Sequence, residues 1–593
     1  MSSNSSLTLL RSFLREMFIY KKLLFLTILS IIGASITTLI SPYIIGLTID
    51  EYVLKGRFSE LGYIVFILLI TLIAQWFFTT LRGYITEVFS QRVLYNMRNK
   101  LFNKLLYLHI DFYKNKQIGD LVSRVINDTS TLNEVLVSGI LNVIGDILTI
   151  IGVFIAMLVL SPRLTLVSMA TIPLMIFVAK FFGTRLRHAY RETRERVAQL
   201  SSVVSESVAG IEAIKAFGRE KSFVSEFDSV SRDTMRAYIR VAVLMGFFWP
   251  LMNLASILSV IIVLIYGGYL SLTGALSIGV LIAFIQYIQR FIQPINNITS
   301  MYDLLQSAFA SLDRIYEVLR AQNVEEIDKG RGVDKLRGEI VFKNVWFEYE
   351  PGRPVLKNIS FTIKPGELIA LVGHTGAGKT TLVNLLMKFY KPVRGEILID
   401  GVNIEEIKLE DLRRRISYVP QETYLFTGTV LDNIKIGKPG ATDEEVIKIC
   451  KELGIHDFIE KLPNGYYTDA GEAGRRLSVG EKQLISIARA MLRNPDIVIL
   501  DEALSSIDPK TEEMIRKAIK KLMMNRTGII VAHRLTITRD CSRILVLDNG
   551  EIVEDGTFDE LLAKRGLFYE LYVTQLKREK TLSEELLVEA SSG

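Results

Sequence analysis

The chain is nearly without cysteine: Cys450 and Cys541 are the two among 593 residues. Neither sits at a metal-ligand spacing, which argues against a disulfide framework and against a zinc site. A large excess of one charge is missing too. With 70 Lys and Arg against 64 Asp and Glu, the net charge of +6 gives no reason to expect a nucleic-acid partner. A cleavable leader is not expected either. The first ten residues are polar, and the apolar stretch after Arg11, Arg15, Lys21 and Lys22 has no clear small-residue cleavage pattern. The first apolar segment is therefore expected to stay in the protein. Processing and export of a leader peptide by a peptidase domain ahead of the spans is not expected.

What the chain does have is apolar residues, 49% of the total, beside 23% charged ones. So many of both kinds means that they are segregated along the chain. Six apolar runs centre near Ile31, Leu69, Ile150, Ile172, Ile261 and Ala283. A bilayer core of about 30 Å takes about 20 helical residues, so each run reads as a membrane span. Positive charge gathers between the second and third runs (Arg92, Arg98, Lys100, Lys104) and between the fourth and fifth (Arg185, Arg187, Arg191, Arg194). The opposite connections hold only Lys55, Arg57 and Arg163. By the positive-inside rule both termini and both long loops face the cytoplasm of a multi-pass cell-membrane protein. The long loops are expected to extend the spans as helical arms of about 35 Å.

After residue 325 the pattern changes. Residues 326–337 are charged and Gly-containing, and short strands begin at Gly338. The expected organisation is an all-α membrane domain of six helices (1–325), a linker (326–337), an α/β P-loop domain (338–575) and a tail (576–593).

The apolar strand Leu368–Val372 runs into Gly373, His374, Thr375, Gly376, Ala377, Gly378, Lys379, Thr380 and Thr381, which fits G-x-x-x-x-G-K-[ST]. Glycines let successive N–H groups curl around phosphate oxygens, and the helix next in the chain adds its positive end. Lys379 is expected to reach the β- and γ-phosphates of ATP, and Thr380 to bind Mg²⁺. About 120 residues on, the strand Ile497–Leu500 ends in Asp501 and Glu502. Asp501 suits the metal, and Glu502 suits polarising an attacking water.

With these residues in place the sequence resembles the ABC transporter family. Leu477-Ser478-Val479-Gly480-Glu481 matches the signature usually written LSGGQ, Gln421 a Gln after a strand, His533 a switch His, and Tyr349 an adenine-stacking aromatic. Ser505–Asp508 resembles the D-loop and Asp469–Gly474 an exporter-type acidic loop, all in family order over about residues 338–575. Residues 111–128 and 210–220 resemble the exporters' two intracellular loops. The resemblance implies a dimer with two ATPs, each held between the P-loop of one chain and the Ser478 and Gly480 equivalents of the other. His533 would stabilise the γ-phosphate, and Gln421 would report Mg²⁺ and nucleotide state to the loops.

Val479 and Glu481 depart from the signature. Val adds bulk where a backbone meets phosphate, most costly at positive φ, and Glu brings negative charge to an anion. Harmless drift, with Ser478 and Gly480 keeping the contacts, is one reading. Because Lys379, Asp501, Glu502 and His533 are intact, the other is a heterodimer in which a different half-transporter completes this chain's competent site. The implied function is ATP-driven export of hydrophobic or amphipathic compounds, drugs or lipids, by alternating access. A homodimeric flippase or multidrug exporter and a nucleotide-gated channel are the alternatives. A soluble P-loop enzyme fails on the six apolar runs. Trp76, Phe77, Phe78, Phe181, Phe182, Phe247, Phe248 and Trp249 are candidates to line an apolar cavity or to face lipid. Gln286, Gln289, Gln293, Asp146 and Arg290 are candidates for a pathway or for bonds between helices.

Overall fold

The computed structural model describes residues 3–577 apart from 115, 502–507 and 533. They form two compact units, one of Met1–Leu108 with Tyr113–Gln322, the other of His109–Phe112 with Asn323–Gly593.

The first unit is helical. Its principal helices are α1 (Lys21–Leu47), α2 (Leu61–Tyr107), α3 (Leu141–Leu160), α4 (Ile172–Ala209), α5 (Glu220–Leu272) and α6 (Ile278–Arg320). Among the described residues five helical segments are long and apolar enough to cross a membrane: Arg11–Val53, Phe58–Tyr107, Ile118–Leu160, Pro162–Ala209 and Glu220–Leu272. The sixth expected span is the apolar opening of α6, Ile278–Phe291, which is shorter among the described residues. Helices α2 and α5 run unbroken for 47 and 53 residues, so the charged stretches after the second span and before the fifth continue those spans as helix.

Hydroxyls inside α1 bond to the preceding turn, Thr27 to Leu23 O (2.9 Å) and Ser30 to Leu26 O (2.7 Å). That satisfies them without water, as a lipid environment requires. Close approach of α1 and α6 needs glycine: a Cβ on Gly279 would stand 2.0 Å from Gly46 O. Asp50 then accepts from Gly279 N at 2.7 Å. The ionisable pair expected within the spans divides between two neighbours. Arg290 donates to Thr38 O on α1, and Asp146 accepts from Asn297 at 3.1 Å. Toward the end of α6, buried Arg124 pairs with Asp120 (2.9 Å) and Glu317 (2.7 Å). Buried Asp128 accepts from Ser311 (3.0 Å) and from Arg314 Nε (2.8 Å).

The second unit is α/β. Strands β1 (Ile340–Glu348), β2 (Pro354–Ile363), β4 (Arg394–Ile399) and β5 (Val402–Asn403) make an antiparallel sheet in the order β2-β1-β4-β5. A second sheet has the order β10-β9-β3-β8-β7-β6, from β3 (Leu368–Gly373), β6 (Ile416–Val419), β7 (Ile497–Asp501), β8 (Thr527–Val531), β9 (Arg543–Asp548) and β10 (Glu551–Gly556). Every residue of β7 and β8 is buried, as central parallel strands covered on both faces must be. One core lies between the two sheets, with Phe342 stacked on Phe361 at 4.6 Å. The other packs the far face against helices, among them α8 (Val479–Leu492) and α9 (Pro509–Met523).

Residues 331–339, expected as linker and domain start, are fastened to this unit. Asp400 accepts from the N–H groups of Arg337 (2.6 Å), Gly338 (3.1 Å) and Glu339 (2.9 Å), and Asp411 from Val333 N (3.1 Å). Glu325 grips Arg413 through two bonds of 2.6 and 2.7 Å. Such carboxylates replace the apolar period that the segment lacks.

Candidate functional site

The parallel register assembles the site. Leu371 on β3 and Asp501 on β7 both pair with Val531 on β8. They therefore stand level, two strand spacings or roughly 10 Å apart, at the carboxyl ends of the strands. Doubly wound sheets bind ligands at that edge.

Beyond Leu371 the chain turns through the glycine loop into α7 (Lys379–Leu386), which ends three residues before the expected Phe389. Gly378 has φ +104°, and a Cβ there would meet Leu356 Cδ2 at 2.6 Å. A side chain at Gly373 would meet Leu547 O at 2.1 Å. Only glycine lets the loop lie this close to its neighbours. His374, Thr375 and Gly376 are exposed on the outside of the turn, while Ala377 is buried beneath it. Lys379 is 4% exposed, and its ammonium donates to the carbonyls of Gly373 (2.7 Å) and His374 (2.9 Å). The cation is thus held inside the loop, where N–H groups and the start of α7 favour an anion.

Thr380 is exposed in the first turn of α7, and Thr381 is buried with its hydroxyl 3.2 Å from the Tyr349 hydroxyl. Asn384 donates to the same Tyr349 oxygen at 3.4 Å. Tyr349 is half-buried, edge-on to Phe347 (4.8 Å) and to Tyr390 (5.1 Å). Tyr390 also meets the His109 ring at 5.7 Å. Burial and the Asp111 carboxylate push the Tyr390 phenol up to about 12, so it stays a neutral donor.

Asp501 is 3% exposed and accepts from Tyr418 at 3.2 Å. Burial, then the charge of Asp501, push the Tyr418 phenol far above its ordinary range. No motif in the sequence singles out Tyr418. Only the pairing of β6 with β7, Tyr418 beside Ile499, brings it to the carboxylate. Gln421 is exposed in the loop after β6. Glu502, His533 and the D-loop residues Ser505, Ser506 and Ile507 lie outside the described residues. Asp508 caps α9 by accepting from Thr511 N at 3.0 Å.

The signature opens α8. Ser478 is its N-cap, and Glu481 closes a capping box: Ser478 Oγ accepts from Glu481 N (3.3 Å), and Glu481 Oε2 accepts from Ser478 N (2.6 Å). Gly480 is buried in the first turn. Val479 sits at the first helical position with its side chain 53% exposed. It is not among the residues with positive φ, so the backbone strain considered for this substitution does not arise. Further along α8, Arg489 donates to Asn433 O (2.6 Å) and Tyr424 O (2.7 Å). Burial lowers its pKa to about 10.

The lysine loop, the exposed Thr380 and the buried acid at one sheet edge fit a nucleotide's phosphates and an accompanying cation. Known proteins share the two-part organisation of the chain. Residues 24–295 match the family described as the ABC transporter transmembrane region, and residues 356–505 the ABC transporter family. The ABC transporter ATP-binding protein YknV of Bacillus subtilis is 37% identical over 557 residues, 94% of this chain and 92% of that protein. YgaD of the same organism, which bears a multidrug-export ATP-binding/permease name, is 35% identical over 94% of this chain and 97% of its own length. A fatty acid ABC transporter ATP-binding/permease protein of Mycobacterium bovis is 37% identical over 81% of this chain and 76% of its own. A bacterial Atm1-family ABC exporter solved with ATP bound superposes with a TM-score of 0.75 at 26% identity, over 94% of this chain and 98% of that one. The chain belongs to the ABC transporter family, as an exporter-type half-transporter of the cell membrane that binds nucleotide, couples ATP hydrolysis to transport and works as a dimer.

Proposed function

We propose that this chain exports hydrophobic or amphipathic compounds, drugs or lipids, as one subunit of a heterodimer with one fully competent ATP site. The observation that carries the reading is a contrast within one domain. The Lys379 loop and buried Asp501 lie at the same edge of the sheet, while the start of α8 carries the exposed Val479 and the carboxylate of Glu481. Bulk and charge at that helix start, and not backbone strain, are what would weaken the site it serves.

Each site residue then has its own part. Tyr349 stacks on adenine. Gly373–Gly378 and Lys379 hold the phosphates, with Thr381 bracing Tyr349. Thr380, Asp501 and Gln421 would hold Mg²⁺, which would supply charge neutralisation at the phosphates. Glu502 orients the attacking water and His533 steadies the γ-phosphate. Ser478 and Gly480 present their amides to a nucleotide held by the partner chain. The domain limits 1–325, 326–337, 338–575 and 576–593 belong to the same proposal. The named cargo of two relatives, multidrug and fatty acid, supports an apolar substrate class.

Purified alone in lipid nanodiscs, the chain should turn over ATP weakly. Co-expression with a half-transporter bearing an unaltered signature should raise the rate at least tenfold, with ATP-driven accumulation of a labelled lipid in inside-out vesicles. Strong ATPase activity of the chain alone, abolished by Glu502→Gln, would overturn the heterodimer. Flux without accumulation against a gradient would overturn export.

A further inference from the structure

Two half-buried arginines sit on the spanning helices, and their surroundings differ. Arg82 on α2 donates to Asn142 on α3 and faces the charge of Asp146. Arg290 on α6 has no such counter-charge. Its bond goes to a backbone carbonyl, Thr38 O on α1, and no carboxylate pairs with it among the described residues. Arg290 comes twelve residues after Ile278, the start of α6. That is about 18 Å along the helix, within a bilayer core of about 30 Å. A cation at that depth is costly, and such residues usually mark a pathway or a ligand.

The bond to α1 has a cause in the sequence. Pro42 lies inside α1. Having no N–H, it leaves the carbonyl four residues earlier, Thr38 O, without its helical donor. Arg290 Nη1 supplies that donor. Tyr287, one turn earlier on α6, donates its hydroxyl to the next carbonyl, Leu39 O, at 2.8 Å. With Nη1 tied to Thr38 O, the guanidinium is held in one orientation, and its Nε–Nη2 edge is the fork left for a ligand. Two parallel N–H groups on such an edge match two oxygens of a carboxylate or phosphate. Around this point α6 also turns polar, with Gln286, Gln289, Gln293, Asn296 and Asn297. That suits a polar headgroup at this depth.

We propose that Arg290 binds the oxyanion head, carboxylate or phosphate, of the amphiphile that this chain exports, with Pro42 and Thr38 O fixing its orientation. The inference rests on the export reading above and narrows the cargo to anionic amphiphiles. A wholly apolar or cationic cargo would leave the arginine uncompensated. Phospholipid of the bilayer carries the same phosphate chemistry, so binding and movement are separate readouts.

The test uses the full-length chain co-expressed with its half-transporter partner. Four probes share one fluorescent tail: a fatty acid, an alkyl phosphate, the methyl ester of the acid and an alkyltrimethylammonium. In zwitterionic nanodiscs the two anions should bind at least tenfold tighter than the ester, the usual worth of a charge-assisted fork. In inside-out vesicles ATP should drive their accumulation. Arg290→Gln should bring the anion-to-ester ratio to about one, its binding of the ester showing that it is folded. Arg290→Lys should keep part of the preference, since it keeps the charge and loses the fork. Pro42→Ala, which returns an N–H to Thr38 O, should lower the preference without removing charge. Arg82→Gln should leave the preference in place. Equal binding of all four probes, or a preference that survives Arg290→Gln, would overturn the site while export stands. Anions that bind while only the ester accumulates would make Arg290 a seat for resident lipid and overturn its role in cargo recognition. Preferential anion binding with no accumulation of any probe would instead overturn the export reading.

Discussion

At Gly378 the backbone itself carries the phosphate loop, with φ +104° and Leu356 packed where a Cβ would be. Gly378→Ala should weaken nucleotide binding at least tenfold in a fluorescent-ATP titration, because the loop must move to relieve both strain and contact. Glu502→Gln should leave that titration unchanged while cutting steady-state ATP turnover about 10²-fold or more, the usual worth of a positioned general base. Gly378 is legible in sequence because its motif is local, nine consecutive positions making the loop, and Glu502 because it ends an apolar strand beside Asp501. Tyr418 is not legible. It lies 83 residues from Asp501, and nothing nearer than strand pairing says that the two touch.

Among the elements, α8 is the most informative. Ser478→Ala should destabilise the ATPase unit by about 1 kcal/mol in thermal unfolding, by removing the N-cap. Glu481→Gln should be nearly neutral in the same measurement, since Gln closes a capping box as Glu does. Its effect should appear instead in ATPase assays with a partner chain, where a negative charge is removed near phosphate. A stability loss from Glu481→Gln as large as that from Ser478→Ala would mean that the carboxylate is structural only. The sequence places the helix start correctly, yet only the folded side chain reveals that Glu481 turns back onto Ser478 N.

The arm formed by the end of α6 is a second case. Glu317 is held below the ordinary glutamate value of 4.5 by its bond to Lys116, then by Arg124. A depressed carboxylate stabilises above its unfolded pKa, and that contribution disappears as pH falls through the folded one. The helical unit should therefore lose stability below about pH 4.5, and Glu317→Gln should flatten that limb in a pH series of thermal melts. The effect should be modest and salt-sensitive, because the Glu317 side chain is 47% exposed.

For the whole molecule, binding ties stability to nucleotide. ATP with Mg²⁺ at about 100 times its dissociation constant should stabilise the ATPase unit by about 2.7 kcal/mol, read as a raised Tm that Lys379→Ala abolishes. The sequence by itself determined the division into an apolar helical half and an α/β half, the family, and the identity of the phosphate loop. All of these rest on composition, periodicity or contiguous motifs, which local chemistry dictates. Only the tertiary structure decided which side chain meets Asp501, that Asp400 straps residues 337–339, and that Val479 enters its helix without strain. Those outcomes depend on strand register and helix packing between distant residues, and no short window of sequence contains the register.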